Sequence, residues 1–309
     1  MFRTCTVGLD DVHARPLHPL HQCPHTDSVP RRRAPGVGVG DNVPVPIHTL
    51  TIESDRVRAE VAADDGGRLA QLTIDGTPLL IGHDDLPTEG VATGIGWGAF
   101  PMVPWAGRIR HGRFEFDGVE YRLPINFDDH AIHGVGFELP WSIVEHGDHH
   151  LELRLELPSD DRWPFGGEVR QRYDVDDDGL TTEMSVTATD LAFPVALGWH
   201  PWFRKPDHVG FAPVAMYRRD DDHIAVSELV PVPDGPWDDC FVNFEPVDVE
   251  IAGVELRITS PCDHWVVYDE RAYATCIEPQ TGPPDAFNIA VRRLEPGATT
   301  SARYRIARR

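Results

Sequence analysis

Glu278 closes the apolar run ATCI and is followed at once by Pro279, Gln280 and a glycine-proline stretch, in CIEPQTGPPDAFN. A carboxylate at the end of an apolar strand is partly desolvated, which lifts its pKa above the reference of ~4.3 and makes it a better proton acceptor. A strand-end ion pair with an arginine fits the same residues, so the run alone leaves both readings open. ALGWHPWFRKP holds His200 between Trp199, Pro201 and Trp202. The following proline restricts His200 to extended backbone, and an imidazole with an ordinary pKa of ~6.5 is suited to pass a proton near neutral pH. A merely packed histidine is the competing account. In DDHAIHGVGFELPW, His130 and His133 are three residues apart, which on a strand would send them to opposite faces and argues against a shared metal. His133 before Gly134 instead fits a hydrogen-bonding group where a ligand approaches the backbone closely.

Further polar groups stand among aromatics. Arg108 and Arg110 follow a Pro-Trp-Ala-Gly bend, and Asp238 and Asp239 lie between Trp237 and Phe241. A surface arginine pair and an acidic turn are the plain alternatives. Carboxylates that accept from hydroxyls, an arginine that donates to them and aromatic faces over C–H surface are together what a neutral sugar requires.

The elements that must position these groups have a period of two. HLELRLELP alternates Leu151, Leu153, Leu155 and Leu157 against polar residues, as a strand with one buried face does. GRFEFDGVEYRLP, RLAQLTIDGTPLLIG and QRYDVDDDGLTTEMSVTAT each centre on an Asp-Gly pair and read as hairpins. ELRITS, HWVVYDE, TCIEP and SARYRIA add short β-like runs. No window carries a sustained helical stripe, and 28 prolines and 27 glycines punctuate the 309 residues. An all-β sandwich or barrel follows, as one large domain over residues 47–309.

Residues 1–46 are crowded with His, Pro, Gly and Arg without periodicity and read as a flexible leader; the spacing of Cys5, His13, His18, His21, Cys23 and His25 matches no paired ligand set. A formal net charge of −22 disfavours nucleic acid and acidic lipid. Lys205 is the one lysine, which leaves a single candidate for Schiff-base chemistry. Five cysteines in a chain of this size make no disulfide framework, and no apolar stretch reaches membrane-spanning length, so a soluble cytoplasmic protein is expected.

The ordered blocks PWAGRIRHGRFEFDGVEYRLPIN, HAIHGVGFELPW, LGWHPWF, WDDCF and IEPQTGPPDAFN resemble the aldose 1-epimerases, or galactose mutarotases, from about Ile47 to the C-terminus. The resemblance implies a large antiparallel β-sandwich with a sugar site. It implies Glu278 as the base on the anomeric hydroxyl and His200 as the acid on the ring oxygen. It also implies His133 near that oxygen, Arg108 and Asp238 on sugar hydroxyls, and Gln280 as a further contact, with no metal or nucleotide cofactor. Asp238 is chosen over Asp239 because the family aspartate commonly stands three residues before the phenylalanine, here Phe241. Gly107 stands where the family often has asparagine, and Trp202 where it often has tyrosine or phenylalanine, which bears on the choice of sugar. A hexose-6-phosphate 1-epimerase, with Arg110, Arg204 and Lys205 as phosphate ligands, a non-catalytic sugar-binding protein and a glycosidase using Glu278 with Asp238 are the alternatives.

Overall fold

Alternation along the strands builds two antiparallel sheets in the computed structural model, which describes residues 47–86 and 94–309. The leader and its histidines and cysteines therefore lie outside the described residues. The larger sheet has eleven strands, ordered Leu50–Glu53, Val57–Ala62, Arg68–Ile74, Ala99–Met102, Gly198–Arg204, Ala274–Gln280, His264–Tyr268, Asp238–Val242, Ala215–Arg219 and Ala225–Val230, with Thr77–Pro78 beside Arg68–Ile74. The second has eight, from Ser142–His146 through His150–Glu156, Glu168–Asp176, Gly179–Thr187, Thr299–Arg308, Val254–Thr259 and Val247–Ile251 to His208–Gly210.

The predicted hairpins form. Arg113–Phe116 pairs with Val119–Arg122 around Asp117 and Gly118, and Glu168–Asp176 pairs with Gly179–Thr187 over nine rungs. The leucines of HLELRLELP are buried as the alternation predicts. They join one apolar cluster with Leu69, Leu72, Trp199 and Ile277 of the larger sheet and Tyr173, Met184 and Ile306 of the smaller. Each aliphatic or aromatic side chain taken out of water there contributes roughly 1.5–3 kcal/mol, which makes this shared cluster the main glue between the sheets. One polar chain crosses it. Trp199 Nε1 donates to Gln171 Oε1 at 2.8 Å, and Gln171 Nε2 donates to the Gly67 carbonyl at 2.8 Å, so the buried amide is satisfied at both ends.

A period of two means that what packs into this cluster at one position faces away from it at the next. Trp199 and Ile277 point to the core, so His200 and Glu278 point to the other face of the larger sheet. On that face a second cluster contains Ile81, Phe100, Met102, Ala106, Phe137, Trp202, Ala274 and Cys276. One sequence expectation is corrected here. Glu278 was expected at a strand end, but the strand runs from Ala274 through Gln280 with every residue buried. Neighbouring strands on both sides hold it extended through Pro279.

Candidate active site

Register places the two proton-carrying candidates side by side. Gly198 pairs with Gln280 and Trp202 with Cys276, which sets His200 opposite Glu278 midway between them. Pro201 and Pro279 have no N–H to give, so the ladder is thinned at that point. His200 Nε2 lies 3.3 Å from Glu278 Oε1, with side-chain exposures of 10% and 2%. Gln280, two residues on and hence on the same face, donates from Nε2 to Glu278 Oε2 at 3.2 Å. The His200 ring is stacked between Phe100 and Trp202, at centroid distances of 4.8 and 5.3 Å. Trp202 is itself fixed by Nε1 donating to the Ile95 carbonyl at 2.7 Å. Rigid aromatic walls leave the imidazole little freedom to turn away.

His133 arrives from a connecting segment. It has φ +61 and is followed by Gly134 at φ +77, and a Cβ on Gly134 would lie 2.0 Å from the Val103 carbonyl oxygen. Only glycine allows that approach, which turns the His133 ring to a centroid 5.0 Å from that of His200. His130, the other histidine of the motif, is turned away. Its ring stacks on His111, and its Nδ1 accepts from the His111 backbone N–H. The separation read from the sequence is correct, although the segment between them is a strand of only two residues, Ala131–Ile132. That strand pairs with Arg108–Ile109 and so carries Arg108 to the cavity, where its guanidinium lies 5.6 Å from the Phe127 ring centroid. Gly107 has φ +70, and a Cβ there would stand 2.9 Å from Pro284 Cα. Its place in the sequence therefore has a packing reason as well as any effect on the ligand.

These groups line one cavity of about 240 Å³, together with Phe127, Asp238, Asp239, Arg219 and Tyr268. Sites for drug-sized ligands run ~300–1,000 Å³, so this one suits a single small ring. A more open polar recess adjoins it, lined in part by His111, Asp128, His130 and Asp222. Arg219, the last residue of the strand Ala215–Arg219, was not picked out from the sequence. It donates from Nη1 to Asp238 Oδ2 at 3.3 Å, and its Nε lies 2.8 Å from Asp239 Oδ1 as an ion pair. His223, in the connection that follows this strand, also reaches the cavity.

Burial dominates the electrostatics. It pushes the Glu278 carboxyl well above the usual range, reinforced by Asp238 and opposed by Gln280 and Arg108. It pushes His200 down, with Arg108 and Arg68 adding in the same direction. His133 is lowered by burial and then by His200, and Asp238 is raised by burial against the pull of Arg108 and Arg219. A buried acid and a buried base in contact are held to one proton between them. With that proton the pair is net neutral, whereas adding or removing one leaves an isolated charge out of water.

All six residues picked out from the sequence, Arg108, His133, His200, Asp238, Glu278 and Gln280, meet in this cavity. Two of the three cations considered as phosphate ligands are engaged elsewhere. Arg204 is tied to Asp85, and Lys205 donates to the Asp269 carbonyl. The third, Arg110, is held by Asp220 at 2.6 Å and Asp222 at 2.8 Å. Among the described residues, His200, Cys276 and Glu278 are the group whose donor atoms converge as metal ligands do. No helix among them is long and apolar enough to cross a membrane.

Comparison with known proteins agrees with the fold. Uncharacterised protein YihR of Escherichia coli K12 is 33% identical over 265 residues, covering 74% of this chain and 82% of YihR. Uncharacterised protein YphB of the same organism is 35% identical over 156 residues, a match spanning about half of each chain, 50% and 51%. The crystal structure of the GalM/aldose epimerase homologue from C. elegans superposes with a TM-score of 0.72 at 19% identity, covering 85% of this chain and 98% of that one. Galactose 1-epimerase from Lactobacillus acidophilus NCFM does so with a TM-score of 0.71 at 15% identity, covering 84% and 94%. At those identities the two structures speak to the fold alone. The family itself is fixed by the match of residues 48–307 to the aldose 1-epimerase family model, and the chain belongs to that family.

Proposed function

We propose that the protein is a mutarotase that interconverts the α and β anomers of a neutral hexose such as glucose or galactose. The observation that carries this reading is the 3.3 Å contact between His200 Nε2 and Glu278 Oε1 on the wall of a cavity sized for one sugar ring. The anomeric oxygen O1 and the ring oxygen O5 are both bonded to C1, so a base for one and an acid for the other must stand side by side. Burial favours the shared proton on Glu278 at rest; once it has moved to His200 across the 3.3 Å contact, Glu278 takes the proton of the O1 hydroxyl while His200 protonates O5. The C1–O5 bond breaks, and the C1–O1 bond becomes a carbonyl. The free aldehyde turns about C1–C2, the O5 hydroxyl adds to the opposite face of the carbonyl, His200 recovers the O5 proton, and Glu278 returns one to O1. No proton is gained or lost over the cycle.

General acid and general base each supply typically ~10²–10⁴-fold, enough for a reaction that already proceeds in water. Arg108 and Asp238 serve as a donor and an acceptor for the remaining hydroxyls, His133 as a neutral hydrogen-bonding group near O5, and Gln280 as the group that orients the carboxylate. The engagement of Arg204, Lys205 and Arg110 by other groups supports a neutral sugar over a phosphorylated one. Optical rotation of freshly dissolved α-glucose, α-galactose and α-glucose 6-phosphate, each with wild type and with Glu278→Gln, tests the reading. Wild type should speed equilibration of at least one neutral sugar and the variant should not. Equal acceleration by both proteins, or by neither, refutes it, and a preference for the phosphate would replace the substrate.

A further inference from the structure

Mutarotation makes no use of Cys276, yet this thiol stands beside both reacting groups. It lies two residues before Glu278 on the same strand, so the two share a face, and it is opposite Trp202, two residues after His200. One donor atom each from His200, Cys276 and Glu278 lies within 4.8 Å of the others, and all three residues are buried. Among the described residues His200 Nδ1 has no hydrogen-bond partner, so the ring is held to the protein's polar groups through Nε2 alone. Thiolate, imidazole and carboxylate are the ligands of zinc sites that keep a fourth position open, at bond lengths of ~2.0–2.3 Å. Such bonds set tetrahedral ligands roughly 3.5 Å apart; His200 Nε2 and Glu278 Oε1 already stand 3.3 Å apart, so it is the thiol that must close on them, by about 1 Å at most. Soft and borderline donors of this kind favour zinc-like ions over magnesium.

We propose that a soft divalent cation such as Zn²⁺ or Cd²⁺ binds between His200, Cys276 and Glu278 and switches off the proton transfer. On binding, the Cys276 S–H proton leaves to solvent, a metal–sulfur bond forms and no electron is transferred. The lone pairs that His200 and Glu278 would offer to protons are then held by the metal. The remaining fourth position would be taken by water or a sugar hydroxyl. Metal binding stands on the geometry alone; only the switching-off rests on the mutarotase reading.

Two readouts separate these parts. The full chain is titrated with Co²⁺ and followed by the near-ultraviolet thiolate-to-cobalt charge-transfer band, in wild type, Cys276→Ser and Cys276→Ala. Mutarotation is measured against free Zn²⁺, each protein being referred to its own metal-free rate. A one-to-one band that both variants lack, with half-inhibition by Zn²⁺ shifted at least tenfold upward in them and no inhibition by Mg²⁺, is expected. A wild type without the band, or a band kept in both variants because other cysteines hold the metal, overturns the site. Equal Zn²⁺ sensitivity in all three proteins overturns the switching-off. A Cys276-dependent band in a wild type that has no metal-free mutarotase activity supports the site while refuting the proposed function.

Discussion

On the proposed mutarotase reading, the pH dependence of turnover follows from the burial of the proposed acid–base pair, Glu278 and His200. An unburied glutamate and histidine, with pKa values of ~4.3 and ~6.5, would hold exactly one proton between them only over that narrow interval. By pH ~7.5 about nine-tenths of such a pair would have lost its last proton, and by pH ~8.5 about 99%. Here removal of that proton leaves a buried carboxylate close to Asp238, and addition of a second leaves a buried imidazolium facing Arg108 and Arg68. Burial therefore moves the alkaline limb up and the acid limb down, each pH unit corresponding to ~1.4 kcal/mol of differential interaction. We predict that kcat/KM, which reports the free enzyme, changes by less than about twofold between pH ~5 and ~8. The assay is polarimetry on fresh α-galactose in dilute buffer, with the uncatalysed rate subtracted at each pH. A tenfold fall between pH ~5.5 and ~7.5 would refute the reasoning, because it would mean that the pair titrates as if solvated.

Glu278→Gln also has a stability consequence. A carboxyl whose folded pKa is raised contributes stability that is complete below the ordinary carboxylate range and lost as pH rises through its folded value. The melting temperature of the non-titrating variant should therefore gain on that of wild type as pH rises from ~4 to ~9, and a constant difference would contradict the shift. Gly134→Ala forces a Cβ to 2.0 Å from the Val103 carbonyl at φ +77. A loss of roughly 3 kcal/mol in urea unfolding is expected, together with lowered activity from displacement of His133, and wild-type stability would show that the segment can relax. Arg219→Gln removes the cation between Asp238 and Asp239. KM for sugar should rise about tenfold with kcat little changed, as befits a charged hydrogen bond that positions a substrate ligand; a fall in kcat alone would place Arg219 in the chemistry.

Much of the site can be read from local pattern. Trp199 and His200 must face opposite ways along GWHPW, and Glu278 and Gln280 must face the same way, because pleating fixes side-chain direction at each step. The motif blocks supplied the remaining candidates. The sequence did not distinguish Arg219 and His223 from surface charge, since their place on the cavity depends on which strand the segment Ala215–Arg219 joins in the sheet. It also placed Glu278 at a strand end. Two flanking strands carry the ladder past Pro279, and those neighbours come from distant parts of the chain.

By itself the sequence determined an antiparallel β architecture and the face on which each strand residue lies. Both follow from backbone geometry acting over two or three residues. The tertiary structure decided which strands are neighbours and in what register, and hence that His200 stands opposite Glu278, both buried, on the wall of one cavity. Pairing between segments far apart in the chain is selected by the burial of whole sheet faces. No short stretch of sequence carries that energy.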